Sequence, residues 1–336
     1  MSRGKKKRRA KGKVSPPEEE STTPLDGLLF GKDRTIEPWG FAAFGLFGLT
    51  LLVWGILAMR PGGATPIWLY SQGRFLLVLV GLLVGAWAFV AVLRNKPVIQ
   101  SKRLWPVAAL AGTIGLAPFP VPYPAPRERA PSHAQVQLPV QGTWRVRWAG
   151  EGVEHNPLVL EPARRFGVVL VREEEGTTLL PGIDPEQAAS AGDYLGFGAQ
   201  VQSPADGVIA AVLESLADGP QGRAPLLGNY VVIEVASGEF LWLSGLKQDS
   251  VLPEVGDPVA AGSHLAQVGA SAARRPTGEP HLGMFMASSA DPALAEGIPW
   301  RLLAWKEGIQ ERGPGMPQGG VNWDGSPRGP LIQPAD

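Results

Sequence analysis

The stretch of this 336-residue chain most suggestive of chemistry is EPHLGMFM, at residues 279–286. A strand that reads His-x-His directs both imidazoles to one face, because side chains on a strand repeat every two residues. Imidazoles placed in this way can share a zinc ion. Here His281 is followed two residues later by Gly283, which has no side chain. The stretch therefore offers only half of such a site.

The rest of the chain supplies few other metal ligands. There are four histidines, His133, His155, His264 and His281, and no cysteine. Without thiolates, a metal site must use histidines and carboxylates. His155 and Glu154, brought beside His281, make the one makeshift zinc site that the sequence suggests. His133 falls in a proline-rich linker, and His264 is better interpreted as a surface imidazole.

The charge of the chain is balanced but unevenly spread. The formal net charge is zero, which gives no argument for nucleic acid as a partner. The first 13 residues, MSRGKKKRRAKGK, are strongly basic, and EEE follows at 18–20. Runs of this kind are typical of solvated tails, so residues 1–37 are predicted to be a disordered cytoplasmic tail.

Two or three transmembrane helices are predicted within residues 38–120. Residues 39–59 and 75–93 carry no charge, and each run has the ~20 apolar residues that cross a bilayer core. A third span at about 104–120 is also free of charge, but Pro106 and PFPVPYPAP leave a helix only to about Leu116. Its short length makes it the weakest of the three predictions.

The positively charged residues predict the orientation of these helices. The N-terminus is basic, and the link between the second and third spans holds Arg94, Lys96, Lys102 and Arg103. The link between the first two spans holds only Arg60 and Arg74. The positive-inside rule then places the N-terminus in the cytoplasm. With three spans the C-terminal half lies outside the membrane, and with two it lies inside.

An all-β domain is predicted for the second half of the chain. After the proline-rich linker at 121–141, short β-branched or alternating runs such as TWRVRWAG and NYVVIEVA are broken by Gly, Pro and Asp. This pattern continues over residues 142–305. From 306 to 336 the chain is rich in Gly and Pro, and a disordered tail is predicted there.

Five stretches, in order, resemble the lysostaphin-type or LytM-like zinc peptidases that cut peptidoglycan cross-links. They are RRFGVVLV, FGAQVQSPADGVIAAV, GNYVVIEVASGEFLWLSGL, VLPEVGDPVAAGSHLAQVG and EPHLGMFM. The third is similar to the family pattern G-N-x-V-x-I-x-H ending in Y-x-H-L, and the last to P-H-L-H-F. The resemblance covers about residues 142–305 and implies a barrel-sandwich-type β domain. It also implies the cytoplasmic (inner) membrane of a bacterium, with the β domain outside.

The resemblance also implies which positions would carry the chemistry. The family binds zinc through H-x-x-x-D and the second histidine of H-x-H, and two further histidines assist catalysis. The three ligand positions hold Arg165, Val169 and Gly283 here, and the Y-x-H-L histidine is Gly245. Arginine stays protonated and offers no lone pair to a cation, and Val and Gly have no donor atom. Only His281, a catalytic position in the family, is kept. No cofactor is expected, and zinc only if the ligands are displaced.

Two further residues are candidates for the wall of the same groove. His155 lies just upstream of the ligand strand, where it is expected to face the groove beside His281. Arg164 is next to the first ligand position, on the stretch that flanks the groove. Arg165, at the ligand position itself, keeps positive charge in the cleft, and a guanidinium there suits the carboxylates of peptidoglycan stem peptides. A surface ion pair of little consequence with Glu161 is the better-supported interpretation of Arg164.

The leading hypothesis is a membrane-anchored LytM-like domain without peptidase activity. Its expected partners are the membrane and either peptidoglycan or a cell-wall enzyme that it regulates. One alternative is an active zinc metalloendopeptidase with displaced ligands. Another is a transport adaptor, because VQSPADGVIAAV and VGDPVAAGSHLAQV also resemble the two halves of a hybrid barrel. Such adaptors carry a helical hairpin between the halves, whereas the insert here is strand-like.

Overall fold

A computed structural model describes residues 36–95, 100–126, 131–186, 188, 190–219, 227–272, 279–320 and 329–335. Helices come first in the chain: α1 Pro38–Met59, α2 Ala64–Trp68, α3 Arg74–Arg94 and α4 Ser101–Leu116. A π-helical turn, Leu69–Gly73, joins α2 to α3, so residues 64–94 form one continuous helix. The predicted cytoplasmic tail lies outside the described residues, except for its last two positions.

Two of these helices, α1 and the 64–94 helix, are long and apolar enough to cross a membrane. Most of their apolar side chains are not covered by protein, as in Phe41 (63% exposed) and Leu83 (63% exposed). Such surfaces are unfavourable in water and suit contact with lipid. The two predicted spans at 39–59 and 75–93 fall within these helices.

The third predicted span is helical, with earlier bounds than expected. α4 runs over Ser101–Leu116, a length of 16 residues, rather than about 104–120. It lies along both longer helices from end to end. Arg103 pairs with Glu37 at the start of α1, and the Leu116 carbonyl accepts a hydrogen bond from Trp54 near the end of α1. The three helices therefore form an up-down-up bundle.

The described residues of the second half contain twelve short strands. They are β1 Trp144–Trp148, β2 Val168–Arg172, β3 Gln200–Gln202, β4 Gly207–Leu213, β5 Asn229–Ala236, β6 Glu239–Leu246, β7 Pro258–Val259, β8 His264–Gln267, β9 Leu282–Ala287, β10 Trp305–Glu307, β11 Gln310–Arg312 and β12 Leu331–Pro334. Ten of them form an antiparallel sheet in the order β11-β10-β12-β1-β2-β9-β6-β5-β4-β7, and β3 pairs with β8. The prediction of apolar helices followed by an all-β domain is confirmed.

The alternation of side chains along the strands gives the large sheet two different faces. One face carries Leu170, Leu243 and Met284 into the main core, together with Val201 of β3 and Leu265 of β8. The two-stranded sheet therefore covers this face. The opposite face carries a smaller apolar cluster built around Trp242 and Phe285.

The structure differs from the sequence prediction on both sides of this domain. Within the predicted linker, Val136, Leu138 and Val140 are buried in the main core. In the predicted disordered tail, β11 and β12 join the sheet, and β12 pairs with β1. The sequence pattern did not reveal these short strands, because an existing sheet edge supplies their hydrogen-bond partners and their core contacts.

Candidate functional site

Three neighbouring strands bring two of the three positions expected to bind metal onto one face of the sheet. Val169 of β2 pairs with Gly283 of β9, which in turn pairs with Ser244 of β6. By alternation, these positions lie opposite the main core, on the face that also holds Trp242 and Phe285. We call this surface, defined by those five residues, the groove face.

The groove face is closed at the level of Gly283. The Ser244 hydroxyl donates a hydrogen bond to the Gly283 carbonyl at 3.4 Å, and a Cβ built at Gly283 would overlap the Ser244 Oγ. Val169, opposite Gly283, is 3% exposed. The residues present here do not fit a zinc ion, because neither Val169 nor Gly283 has a side-chain donor atom and the Ser244 hydroxyl lies against Gly283.

Gly245 lies against His281, in a conformation that favours glycine. Its φ is +81°, in the left-handed region, and a Cβ added there would overlap the carbonyl oxygen of His281. The position predicted from Y-x-H-L and the surviving histidine are therefore brought together. The close backbone approach leaves no space at residue 245 for an imidazole.

His281 presents one ring nitrogen to the backbone. Its Nδ1 lies 3.1 Å from the Glu279 carbonyl, which can only accept, so the proton is assigned to Nδ1. Burial lowers the pKa of the imidazole below its ordinary value, and the nearby guanidiniums of Arg164 and Arg147 act in the same direction. His281 is therefore a neutral imidazole near pH 7, with Nε2 left as a hydrogen-bond acceptor.

Both cations near His281 already have carboxylate partners. The Arg164 guanidinium donates two hydrogen bonds to Glu161, each at 2.5 Å. Arg147 on β1 lies 3.7 Å from Glu279. These ion pairs leave the surroundings of His281 nearly balanced in charge, so Arg164 is a weaker candidate for binding a substrate carboxylate than its sequence position suggested.

Arg165 points away from the groove face, towards the end of the helical bundle. Its Nε donates to the Tyr123 carbonyl at 3.2 Å, and its guanidinium lies 4.9 Å from the Phe166 ring. Burial lowers its pKa, and its Nη1 has no partner in the described part of the chain. Of the three expected ligand positions, Val169 and Gly283 are thus neighbours across β2 and β9. The third, Arg165, contacts Tyr123 instead.

The other histidines do not assemble a substitute site. His155 contacts Glu154, with Nε2 4.0 Å from Oε1, and its backbone packs against Gly320. His264 is exposed, with Nε2 3.0 Å from the Ala266 carbonyl. Among the residues that the structure describes, no group of three His, Cys, Asp or Glu side chains could hold a metal ion.

A second polar cluster, which the sequence did not reveal, joins the β domain to the helices. Glu296 is 2% exposed and accepts hydrogen bonds from the Tyr123 hydroxyl and, at 3.0 Å, from the Gly63 backbone. Tyr123 also donates its backbone N–H to Val159 at 2.7 Å. We call Gly63, Tyr123, Arg165 and Glu296 the junction. Glu296, one of two acidic residues in DPALAEGIPW, was the only sequence signal for it.

Comparison with known proteins bears on the fold. No protein-family model and no curated protein matches the chain. Among solved structures, a zinc-containing peptidase from Vibrio cholerae is 23% identical, over 50% of this chain and 39% of its own length, with a TM-score of 0.30. A putative M23 peptidase from Pseudomonas aeruginosa is 14% identical, over 51% and 50%, with a TM-score of 0.28.

Lysostaphin, an antimicrobial peptidase from Staphylococcus simulans, is also similar. It is 14% identical over 49% of this chain and 52% of its own, with a TM-score of 0.29. The chain thus spans less than two thirds of the length of each of these proteins. The β domain is similar to parts of these three peptidase structures.

The strands between the two stretches that resemble barrel halves also bear on the adaptor alternative. Residues 229–246 form β5 and β6, which pair with each other as an antiparallel hairpin within the ten-stranded sheet. A hybrid-barrel adaptor would carry a helical hairpin in this place. The hairpin is instead the centre of the domain and supplies Trp242 and Ser244 to the groove face.

Proposed function

We propose that this chain is a membrane-anchored LytM-like domain that holds no zinc, does not cleave peptidoglycan, and binds the cell wall or a wall enzyme outside the cytoplasmic membrane. The observation that carries the proposal is the contact of Val169, Gly283 and Ser244 on the groove face. Side chains and backbone there occupy the space in which a ligand set would have to be built.

The chemistry of the remaining residues supports this proposal. A zinc peptidase needs three protein ligands and an open position for the attacking water. Val169 and Gly283 have no side-chain donor atom, and the His281 carbonyl leaves no room for one at Gly245. His281 is neutral and alone, and a lone imidazole neither binds zinc firmly nor polarises a peptide carbonyl. A groove of this kind keeps the shape of a binding cleft but does not catalyse peptide hydrolysis.

The layout of the helices supports a location outside the membrane. Glu37 and Arg103 meet at one end of the bundle, whereas Gly63 and Tyr123 contact the β domain at the other end. The N-terminus and the β domain therefore lie at opposite ends of the bundle. With the basic N-terminus in the cytoplasm, as the positive-inside rule requires, the β domain faces the wall.

The test uses the full-length protein in lipid nanodiscs. After incubation with zinc and removal of free metal, we expect far less than one zinc per chain by elemental mass spectrometry. We also expect no release of soluble fragments from purified peptidoglycan, together with co-sedimentation of the nanodiscs with it. Empty nanodiscs are the control for sedimentation.

One result would contradict the proposal outright: stoichiometric zinc together with peptidoglycan cleavage that the substitution His281→Ala abolishes. If neither cleavage nor co-sedimentation occurs, the wall itself is excluded as the ligand and a wall enzyme remains as the partner. Cross-linking of the nanodisc-bound protein in cell envelopes then identifies that enzyme.

A further inference from the structure

Two arginines are buried in the helical bundle, one at each end. Arg103 of α4 and Arg74 of α3 are each 5% exposed. A buried cation is unfavourable unless an opposite charge or a full set of hydrogen bonds compensates for it. The two ends of the bundle meet this requirement very differently.

Arg103 is compensated within the protein. Its Nη2 lies 2.6 Å from Glu37 Oε1, its Nε lies 3.3 Å from the other carboxylate oxygen, and Nη2 also donates to the Asn95 carbonyl at 2.9 Å. A fork of hydrogen bonds to one carboxylate is the strongest arrangement that a guanidinium makes. The charge at this end of the bundle is therefore neutralised.

Arg74 has no such partner. Its Nε donates to the Tyr70 carbonyl at 2.7 Å, and its Nη1 to the Phe119 carbonyl at 3.1 Å. Within the described chain no carboxylate forms an ion pair with it. The Tyr70 ring lies 3.8 Å from the guanidinium carbon, the Trp54 ring 5.4 Å and the Phe75 ring 5.6 Å. These carbonyls and rings orient the guanidinium, but none of them supplies a negative charge.

The depth of Arg74 in the bundle indicates what could supply the missing charge. α3 has 21 residues from Arg74 to Arg94, a rise of about 31 Å, close to the ~30 Å thickness of the hydrocarbon core. With Asn95 and Arg103 at one boundary, Arg74 lies at the other, on the side of the β domain. Tyr and Trp side chains are typical of this level, where lipid phosphates begin.

We propose that Arg74 binds the phosphate of a phospholipid headgroup in the leaflet on the β-domain side. The two carbonyls hold Nε and Nη1, and Nη2 donates to a phosphate oxygen. The phosphate thereby compensates the charge of Arg74, as the Glu37 carboxylate compensates that of Arg103. The inference rests on the membrane anchoring in the proposed function, but it does not depend on the groove or on the wall partner.

The test uses the full-length chain in an uncharged maltoside detergent. Three additives are compared: phosphatidylglycerol, diacylglycerol with the same acyl chains, and inorganic phosphate. Thermal unfolding is followed by far-ultraviolet circular dichroism. We expect phosphatidylglycerol to raise the midpoint by several degrees, and the other two additives to leave it unchanged. Native mass spectrometry should show a retained phospholipid on the wild-type chain.

Two variants assign the effect to Arg74. Arg74→Gln removes the charge, so the shift caused by phosphatidylglycerol should be lost. Arg60→Gln removes an exposed arginine at the same end of the bundle, so the shift should remain. If Arg74→Gln does not fold, Arg74→Lys serves in its place, and its shift should be at least halved, because lysine lacks the planar fork.

Three outcomes would overturn the inference. One is an equal shift in the wild type and the Arg74 variant. Another is an equal shift with diacylglycerol, which would mean that acyl chains alone stabilise the bundle. The third is stabilisation by inorganic phosphate alone, which would assign a soluble anion. None of these results bears on zinc content or wall binding, so the proposed function is judged separately.

Discussion

The groove face and the junction distribute their polar groups in opposite ways. On the groove face, Trp242 stacks on Phe285 with ring centroids 5.4 Å apart and planes 13° apart, and Gly283 beside them has no side chain. At the junction, a buried carboxylate, a tyrosine hydroxyl and a guanidinium meet backbone groups of the helices and the linker. The groove is apolar and the junction is hydrogen-bonded.

This difference shows where the fold requires definite geometry. Apolar packing tolerates changes of shape and places no atom for chemistry, whereas buried polar groups are stable only when each finds its partner. The junction therefore holds the β domain at one orientation to the helices. The groove face keeps the sheet together, and its stability does not depend on any polar constellation.

The largest expected effect is on the groove face. Trp242→Ala removes a fully buried indole between Tyr230 and Phe285, and should lower the free energy of unfolding by about 3–5 kcal/mol. Denaturant unfolding of the full-length chain measures this loss. Phe240→Ala, at a half-buried position on the same strand, should cost clearly less. Equal losses in the two variants would show that the groove face is not the packed layer described above.

The next effect tests the junction. Glu296→Ala leaves the Tyr123 hydroxyl and the Gly63 N–H without their acceptor, and should lower the free energy of unfolding by about 2–3 kcal/mol. Tyr123→Phe, which removes only the hydroxyl, should cost about 1 kcal/mol. The exposed Glu254→Ala is the control and should stay within about 0.5 kcal/mol of wild type. If Glu296→Ala left the free energy of unfolding unchanged, the contrast between the junction and the groove face would not hold.

A glycine pair tests how tightly the groove closes around His281. Gly245→Ala should cost about 1–3 kcal/mol, because its φ of +81° and the His281 carbonyl both oppose a Cβ. Gly238→Ala has a similar φ of +74° but open space around it, so it reports the conformational strain alone. The difference between the two unfolding free energies isolates the close approach. No difference would mean that the groove has room for a side chain at residue 245.

The smallest effect is a dependence on pH. Because the pKa of folded His281 lies below its ordinary value, the unfolded chain takes up the proton first as the pH falls. Stability should therefore be complete above about pH 6.5 and should decrease as the pH falls from there towards the folded pKa. Comparing wild type with His281→Gln by denaturant unfolding at pH 7.5 and at pH 5.5 isolates the contribution of His281 to the pH dependence of stability. A variant with the same pH dependence as wild type would show that His281 is not the group responsible.

Several features could be read from the sequence because they depend on residue type alone. The charge-free runs at 39–59 and 75–93 fall within helices, and the alternating runs form the sheet. Arg165, Val169 and Gly283 are not zinc ligands in any arrangement, whatever their surroundings. The identity of these residues is enough to argue against the reaction of the family, without any coordinates.

Other features could not be read in this way, because they depend on contacts between distant segments. Val140 and β12 were expected outside the packed domain, but the sheet supplies partners for both. Arg165 was expected in the groove, and a turn directs it to the Tyr123 carbonyl instead. Short segments with few apolar residues acquire their structure from the surface on which they pack.

The sequence by itself determined the classes of segment in this protein and the lack of donor atoms at Val169 and Gly283, since hydropathy and donor atoms are properties of single residues. The tertiary structure alone decided which residues meet. Glu296 reaches Gly63 across 233 positions of the chain, and among the described residues Arg103 finds a carboxylate while Arg74 finds none. Burial and electrostatic compensation are properties of the packed chain, because they depend on where each side chain lies relative to all the others.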